Sequence, residues 1–405
     1  MLKCEFLEQA VVALAEEFAM RGVIRKLFAA HLPEILAERE LCEREWRGAW
    51  CVATCQTAEQ GSHACECAHG HGGRERFNSC RHRGCPTCGW PATLRWLERR
   101  EAQAPGCAHV HTVWTVPDTF GPLWAFNRRS FTNLMFKASW ETVQTLMADE
   151  RWCGARPGMI SVFQSWGDFL QRHPHVHALV TAGGVDDAGA WREPRHSFVL
   201  CARVAMALYR GKMRAFILDG LADKTLTCPP GTDVAYWTRE ADRQGLRKWN
   251  VRVQPPYQES ARVLRYVGAY LKRGPLSERR VLTYDDERVR IAHRHPERHA
   301  APTFELDAVE CVRRLLSHMP EPRLHTSRLY GLYHPAARKR LDAARTHFAQ
   351  TPNATPTPPK ILAQPRPATP YRCPVCGSPM RVRVLRRGGQ SPPWRFRLQQ
   401  RRRAA

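Results

Sequence analysis

His175-Val176-His177 sets two imidazoles at i and i+2, and in an extended chain side chains at that spacing leave the same face. Two ring nitrogens held side by side on a rigid strand are a ready pair of ligands for a divalent metal ion. A second group, Cys85-Pro86-Thr87-Cys88, carries two thiols across a tight turn, the spacing with which a knuckle aims both at one tetrahedral ion. A third, Tyr266-Val267-Gly268-Ala269-Tyr270, holds two phenols four residues apart. On a helix their hydroxyls share one face, about 6 Å apart at the backbone. A positioned tyrosine hydroxyl is a nucleophile that can form a covalent intermediate. Taken singly, each group has a plainer explanation: histidines on an edge strand, zinc that only folds a loop, tyrosines that only pack.

The surrounding sequence supplies the elements that would hold these groups. Val176, Ala178 and Val180 alternate with His175, His177 and Leu179, the pattern of a half-buried strand with the histidines on the face away from the core. Residues 159–163 read as a neighbouring strand, and Gly183-Gly184 as the turn that follows. His109 to Val116, ending at Pro117, is a buried strand, and its His109 and His111 suit core or supporting roles. A helix is expected over Trp124 to Ala148, with Phe131, Leu134, Met135, Ala138 and Val143 on one stripe. Around the tyrosines, Leu264, Val267 and Leu271 form a buried stripe and Gly274-Pro275 ends the helix. Residues 1–46 show helical spacing broken at Gly22 and Pro33, which predicts two or three short helices.

Lys and Arg number 62 against 38 Asp and Glu, a formal charge of +24, which suits a polyanionic partner. No apolar run approaches the ~20 residues of a membrane span, and the first residues carry no signal-peptide pattern. Nucleic acid is therefore the expected partner, no membrane is expected, and the cytosol is the expected location. In that compartment clustered thiols bind metal rather than pair. Cys55, Cys65, Cys67, Cys80, Cys85 and Cys88 are the candidate ligands of structural Zn²⁺, enough for one site and room for two. Arg74, Arg76, Arg81 and Arg83 lie among them and are candidate phosphate contacts. Residues 351–370 hold seven prolines, an extended linker. From Arg366 onward come eleven arginines, no acid, and Cys373-Pro374-Val375-Cys376, half a zinc ribbon with no second half in view. A degenerate ribbon or a disordered basic tail is expected there.

Together these pieces resemble the two-tyrosine HUH transposases of the rolling-circle insertion-sequence-ninety-one type, with their N-terminal zinc-binding domain. The HUH motif is matched by His175-Val176-His177 and the tyrosine motif by Tyr266-x-x-x-Tyr270. Cys55-Gln56-Thr57 through Asn78-Ser79-Cys80-Arg81-x-Arg83-x-Cys85-Pro86-x-Cys88 is similar to the family's zinc module, and His109-Val110-x-x-x-Trp114-Thr115-Val116-Pro117 to its first palm strand. Cys65-x-Cys67 departs from a usual Cys-x-x-Cys, Gly84 replaces a usual histidine with His82 two residues earlier, and Gln164 stands where relatives often carry histidine. Arg328 to His334 is also similar to a family element.

The resemblance implies an α+β fold, an antiparallel RNA-recognition-motif-like HUH palm with helices on one side, preceded by a small zinc-binding module. It implies Mg²⁺ or Mn²⁺ held by His175 and His177, with Gln164 a candidate third ligand. It further implies nicking and rejoining of single-stranded DNA at element ends by Tyr266 and Tyr270 through a 5′-phosphotyrosine. Lys272 is placed to steady the phosphate, Arg265 and Arg273 to bind DNA, and target DNA is a second substrate. The expected division is a helical segment (1–48), the zinc module (49–100), the HUH domain (101–345), a Pro-rich linker (346–370) and the Arg-rich tail (371–405). Two other readings are a non-catalytic zinc-dependent DNA-binding regulator and a histidine-triad nucleotide hydrolase. The regulator leaves the histidines and tyrosines unused, and the hydrolase leaves the charge, cysteines and tyrosines unexplained. A bacterial, nucleoid-associated location accompanies the transposase reading.

Overall fold

A computed structural model describes residues 22–196, 199–257, 274–350 and 371–387. The tyrosine motif, with Arg265, Lys272 and Arg273, lies outside them. In chain order, helices α1 (Val23–Glu38) and α2 (Glu43–Ala53) precede strands β1 (Gly61–Cys67) and β2 (Gly73–Phe77), helix α3 (Pro86–Gln103) and strand β3 (His109–Thr115). Helices α4 (Gly121–Phe126) and α5 (Arg128–Ala148) lead to β4 (Gly158–Trp166), β5 (Arg172–Thr181) and the short pair β6 (Gly184–Val185) and β7 (Trp191–Arg192). Then follow α6 (Ala202–Ala222), α7 (Val234–Gly245), β8 (Val251–Val253), β9 (Val281–Tyr284), β10 (Arg288–Ala292) and β11 (Thr303–Asp307). Helix α8 (Ala308–Ser317), β12 (Ser327–Gly331), α9 (Arg338–His347) and β13 (Met380–Arg387) complete the described elements. The chain is thus mixed α and β with antiparallel sheets.

The central sheet runs β12–β4–β5–β3–β8, antiparallel throughout. Period-two alternation assigns its two faces. Val110, Trp114, Met159, Phe163, Val176, Ala178 and Val180 enter the largest core, covered by α4 to α7. Ile160, Val162 and Leu179 point the other way and pack with Ala104, Tyr333 and Trp96 of α3. The helices are therefore not confined to one side, because α3 covers the second face near the edge strand. For the same reason β5 is buried on both faces rather than half-buried. At its edge, β12 is pinned where Gly331 takes a φ of +56°, and a Cβ there would stand 1.8 Å from the Pro157 carbonyl oxygen. Tyr330 stacks on Trp140 with ring centres 5.2 Å apart, and the Tyr333 hydroxyl donates to His109 Nε2 at 2.5 Å. The element from Arg328 to His334 thus has a packing role.

The expected long helix is split at Asn127, whose amide nitrogen donates to the Leu123 and Thr227 carbonyls while its oxygen accepts from the Thr227 N–H. Pro33 does not break α1. Leu27, Phe28 and Ile35 are buried on either side of it, and that packing outweighs the one backbone bond proline removes. Helices α1 and α2 share a core with α8 and with the sheet β11–β10–β9, where Val289 and Ile291 face in and Arg288 and Arg290 face out. Asp307 caps α8 by accepting from the Glu310 N–H at 3.0 Å. A third sheet, β13–β1–β2, joins residues 380–387 to the cysteine-rich hairpin. No helix among the described residues is long and apolar enough to cross a membrane.

Candidate active site and metal centres

The histidines project from β5 into a cavity of about 290 Å³ whose walls include Gln164, Trp166, Asp168, Phe169, Asn250, Arg252, Arg280 and Arg294. His175 and His177 are 7% and 5% exposed, and their Nε2 atoms lie 2.9 Å apart. Two nitrogens about 2.1 Å from an octahedral ion and 90° apart would be separated by about 3.0 Å, so the pair matches two adjacent positions on one cation. Their outer nitrogens are both engaged. His175 Nδ1–H donates to the His173 carbonyl at 2.7 Å, which leaves the Nε2 lone pair facing the cavity. His177 Nδ1 lies 3.0 Å from His111 Nε2, with the two rings stacked 5.2 Å apart. With a cation on His177 Nε2, its Nδ1–H donates to His111, the arrangement that orients a metal-bound imidazole.

Burial, above all, drops the pKa of His175 and of His111 to about 4 and that of His177 well below the usual imidazole range. Neutral rings are the form that binds metal. Gln164 pairs with His175 across the β4–β5 ladder, is buried and lines the same cavity. The residues present fit a hard divalent ion. Around it the electrostatics are cationic, as Arg252, Arg280 and Arg294 line the cavity. Arg294 donates to the Gly274 carbonyl and Arg280 to that of Pro275, the two residues that directly follow the tyrosine segment.

The thiols divide differently from the sequence expectation. Cys55, Cys80, Cys85 and Cys88 bring their sulfurs within 4.8 Å of one another, with Cys55 and Cys80 Sγ at 3.5 and 3.6 Å from Cys88 Sγ. Those separations approach the about 3.8 Å edges of a Zn–S₄ tetrahedron. Cys55 follows α2, Cys80 follows β2, and Pro86 opens α3 so that Cys85 and Cys88 sit at its first turn. Hydrogen bonds from Cys55, Cys80 and Cys85 hold the Cys88 thiol far below its ordinary range, as a thiol ready to become a metal ligand requires. His82 does not join the set: its Nδ1 accepts from the Gly84 N–H at 3.1 Å. Among the described residues Cys65 joins no ligand group and packs with Met380 and Tyr371, while Cys67 turns towards Cys376.

Beside this tetrad runs an open groove of about 1450 Å³ lined by Arg44, Arg47, Arg81, Arg83, Arg128, Arg129 and Arg323, with Phe126 exposed on its rim. Of the four arginines singled out in the sequence, Arg81 is exposed in the groove, and Arg74 and Arg76 are exposed on β2. Arg83 is also there, but it holds the Glu321 and Leu324 carbonyls. Sequence reading did not single out the cavity arginines or most of the groove arginines. They come from segments far apart in the chain, and only the +24 total signalled them.

Two family models match the chain: one described as a putative transposase, over residues 158–340, and one described as a transposase zinc-binding domain, over residues 27–116. The chain is 34% identical over 301 residues to the putative transposase y4qJ of Sinorhizobium fredii, covering 69% of this chain and 72% of that one. It is 28% identical over 323 residues to the transposase for insertion sequence element IS801 of Pseudomonas savastanoi pv. phaseolicola, covering 75% and 74%. No solved structure matches.

Proposed function

The chain belongs to the two-tyrosine transposases of the insertion-sequence-ninety-one type, and from that membership we propose how it works on DNA. It is a DNA transposase with an N-terminal zinc-binding domain. In our reading it nicks and rejoins single-stranded DNA at element ends by rolling-circle transfer, and it acts in the bacterial cytoplasm at the nucleoid. The observation that carries the reading is the convergence of His175 and His177 Nε2 at 2.9 Å in a cavity walled by three arginines.

His175, His177 and Gln164 would hold Mg²⁺ or Mn²⁺, which when bound polarises the scissile phosphate and offsets its charge. Arg252, Arg280 and Arg294 neutralise the phosphodiester and hold it over the histidines. One hydroxyl, of Tyr266 or Tyr270, attacks phosphorus in line as the P–O3′ bond breaks. The tyrosine is left as a 5′-phosphotyrosine, and the leaving oxygen gains a proton as a free 3′-OH. The phosphodiester energy is conserved in the adduct, so a 3′-OH can reverse the step and join strands. Two tyrosines allow two covalent ends. Lys272, Arg265 and Arg273 steady the phosphates beside them. Arg74, Arg76, Arg81 and Arg83 of the zinc module, with the arginine-lined groove, bind backbone phosphates of element ends and target DNA.

Incubation with labelled single-stranded element ends and Mn²⁺ or Mg²⁺ should give a covalent protein–DNA adduct that maps to Tyr266 or Tyr270. A link at neither tyrosine overturns the mechanism.

A further inference from the structure

The Cys-x-x-Cys that the sequence leaves without a second half finds one in space. Strand β13 pairs antiparallel along the whole of β1, from Gly61 opposite Arg387 to Cys67 opposite Met380. That register carries residues 373–376, just ahead of β13, to the turn between β1 and β2, where His69 and His71 follow Cys67 at alternate positions. Cys67 Sγ lies 3.6 Å from Cys376 Sγ and 3.5 Å from His71 Nδ1. His69 Nδ1 lies 3.5 Å from Cys376 Sγ, and Cys373 Sγ 3.8 Å from His71 Nδ1. The donor atoms of Cys67, His69, His71 and Cys376 all fall within 4.8 Å of one another. A tetrahedral zinc ion with Zn–S about 2.3 Å and Zn–N about 2.0 Å sets donor-to-donor edges of about 3.3–3.8 Å. The four separations of 3.5–3.8 Å fall in that range.

The backbone at both turns is built for the same purpose. The Gly377 N–H donates to the Cys373 carbonyl at 2.9 Å, with Gly377 at φ +70°, and the Cys373 N–H donates to the Ser378 carbonyl. This curls 373–377 into a knuckle. On the other side the His69 N–H points at Cys67 Sγ at 3.4 Å, an interaction that stabilises a thiolate. Thiols and imidazoles so packed without an ion would leave polar groups facing one another, whereas a tetrahedral zinc ion would take four of them as ligands.

We propose that the protein holds a second zinc ion, bound by Cys67 and His71 of the hairpin turn, by Cys376, and by a fourth ligand drawn from His69 and Cys373. This site is separate from the Cys55–Cys80–Cys85–Cys88 tetrad, and residues 373 and 376 lie outside both family matches. It ties together positions 309 residues apart and fixes β13 to the edge of the zinc module. The exposed Arg381, Arg383 and Arg386 are thereby added to the sheet that carries Arg74 and Arg76. Zinc is favoured over harder cations because thiolates and imidazoles form the donor set.

The test uses the full chain. Elemental analysis of natively purified protein should find two zinc ions per chain, and the Cys373→Ser/Cys376→Ser double variant should retain one. A second measurement needs no variant. Cys376 is exposed, as is Cys42, so N-ethylmaleimide followed by mass mapping should label Cys42 quickly and Cys376 only after chelation. One zinc per chain in the wild type, two in the double variant, or labelling of Cys376 as fast as Cys42 before chelation each overturns the proposal.

Discussion

His111 Nε2 stands 3.0 Å from His177 Nδ1, bridging neighbouring strands of the central sheet. Because an imidazole that gives one nitrogen to a metal is oriented by what its other nitrogen meets, in the proposed metal site His111 would orient His177 without itself being a ligand. Replacing His111 with Ala should therefore weaken Mn²⁺ binding roughly 10–100-fold and lower nicking in proportion. His111→Gln, which keeps an acceptor, should recover part of both. Calorimetric Mn²⁺ titration with a nicking assay checks this, and unchanged affinity in His111→Ala would sink the orienting role.

His175→Ala and His177→Ala should abolish nicking while leaving DNA binding within about twofold, since binding rests on phosphate contacts elsewhere. Gln164→Ala should lower metal affinity without abolishing binding. Full nicking in either histidine variant would remove the metal assignment. Brief EDTA should stop cleavage before it strips the tightly held zinc.

Tyr266→Phe and Tyr270→Phe should differ in phenotype, one failing at initial cleavage and the other at strand transfer or termination. Phenylalanine keeps the ring and removes only the nucleophile. The double variant should form no adduct yet bind element ends with the wild-type salt dependence. Lys272 and Arg273 adjoin Tyr270, which makes Tyr270 the expected first nucleophile. Mass mapping of the adduct in each single variant decides the order.

Cys85→Ser or Cys88→Ser should lose the zinc of the Cys₄ tetrad and lower the melting temperature, because structural zinc supplies folding free energy directly. Arg47→Ala with Arg81→Ala should leave zinc content intact and reduce the salt slope of DNA binding by about one for each phosphate left without its arginine. Elemental analysis and binding isotherms at several salt concentrations separate the two effects.

Acid should destabilise the protein in a defined window. Burial lowers His109, His111 and His175 from 6.5 to about 4 and His318 to about 3. Below pH 6.5 the unfolded chain therefore binds protons that the folded chain refuses, so stability falls as pH drops from 6.5 towards 4 and is insensitive to these groups above 6.5. Each such histidine removes roughly 3 kcal/mol across that range. Melting temperatures measured from pH 7.5 to 4.5 should decline mainly below 6.5. A flat profile there would show that these rings are solvated.

The alternation Val176–Ala178–Val180 against His175–His177–Leu179 determined β5 and the facing of its histidines, because a two-residue period leaves only one way to bury the apolar set. The apolar, β-branched run of β3 and the Cys-x-x-Cys spacing of the knuckle were also legible from local pattern. The tyrosine motif is read from spacing alone, as it lies outside the described residues. Local pattern could not divide six clustered cysteines, since ligand choice depends on which sulfurs meet: Cys55 joined Cys80, Cys85 and Cys88, Cys67 turned to Cys376, and Cys65 entered the packing. Nor could it reveal His111 as the partner of His177, or Arg252, Arg280 and Arg294 at one cavity wall, for those meetings are made by strand pairing and loop return across long separations. Sequence by itself determined the chemical groups and the faces they leave. Tertiary structure decided their neighbours, because metal coordination and phosphate binding act over a few ångströms, which only folding can bring about between distant residues.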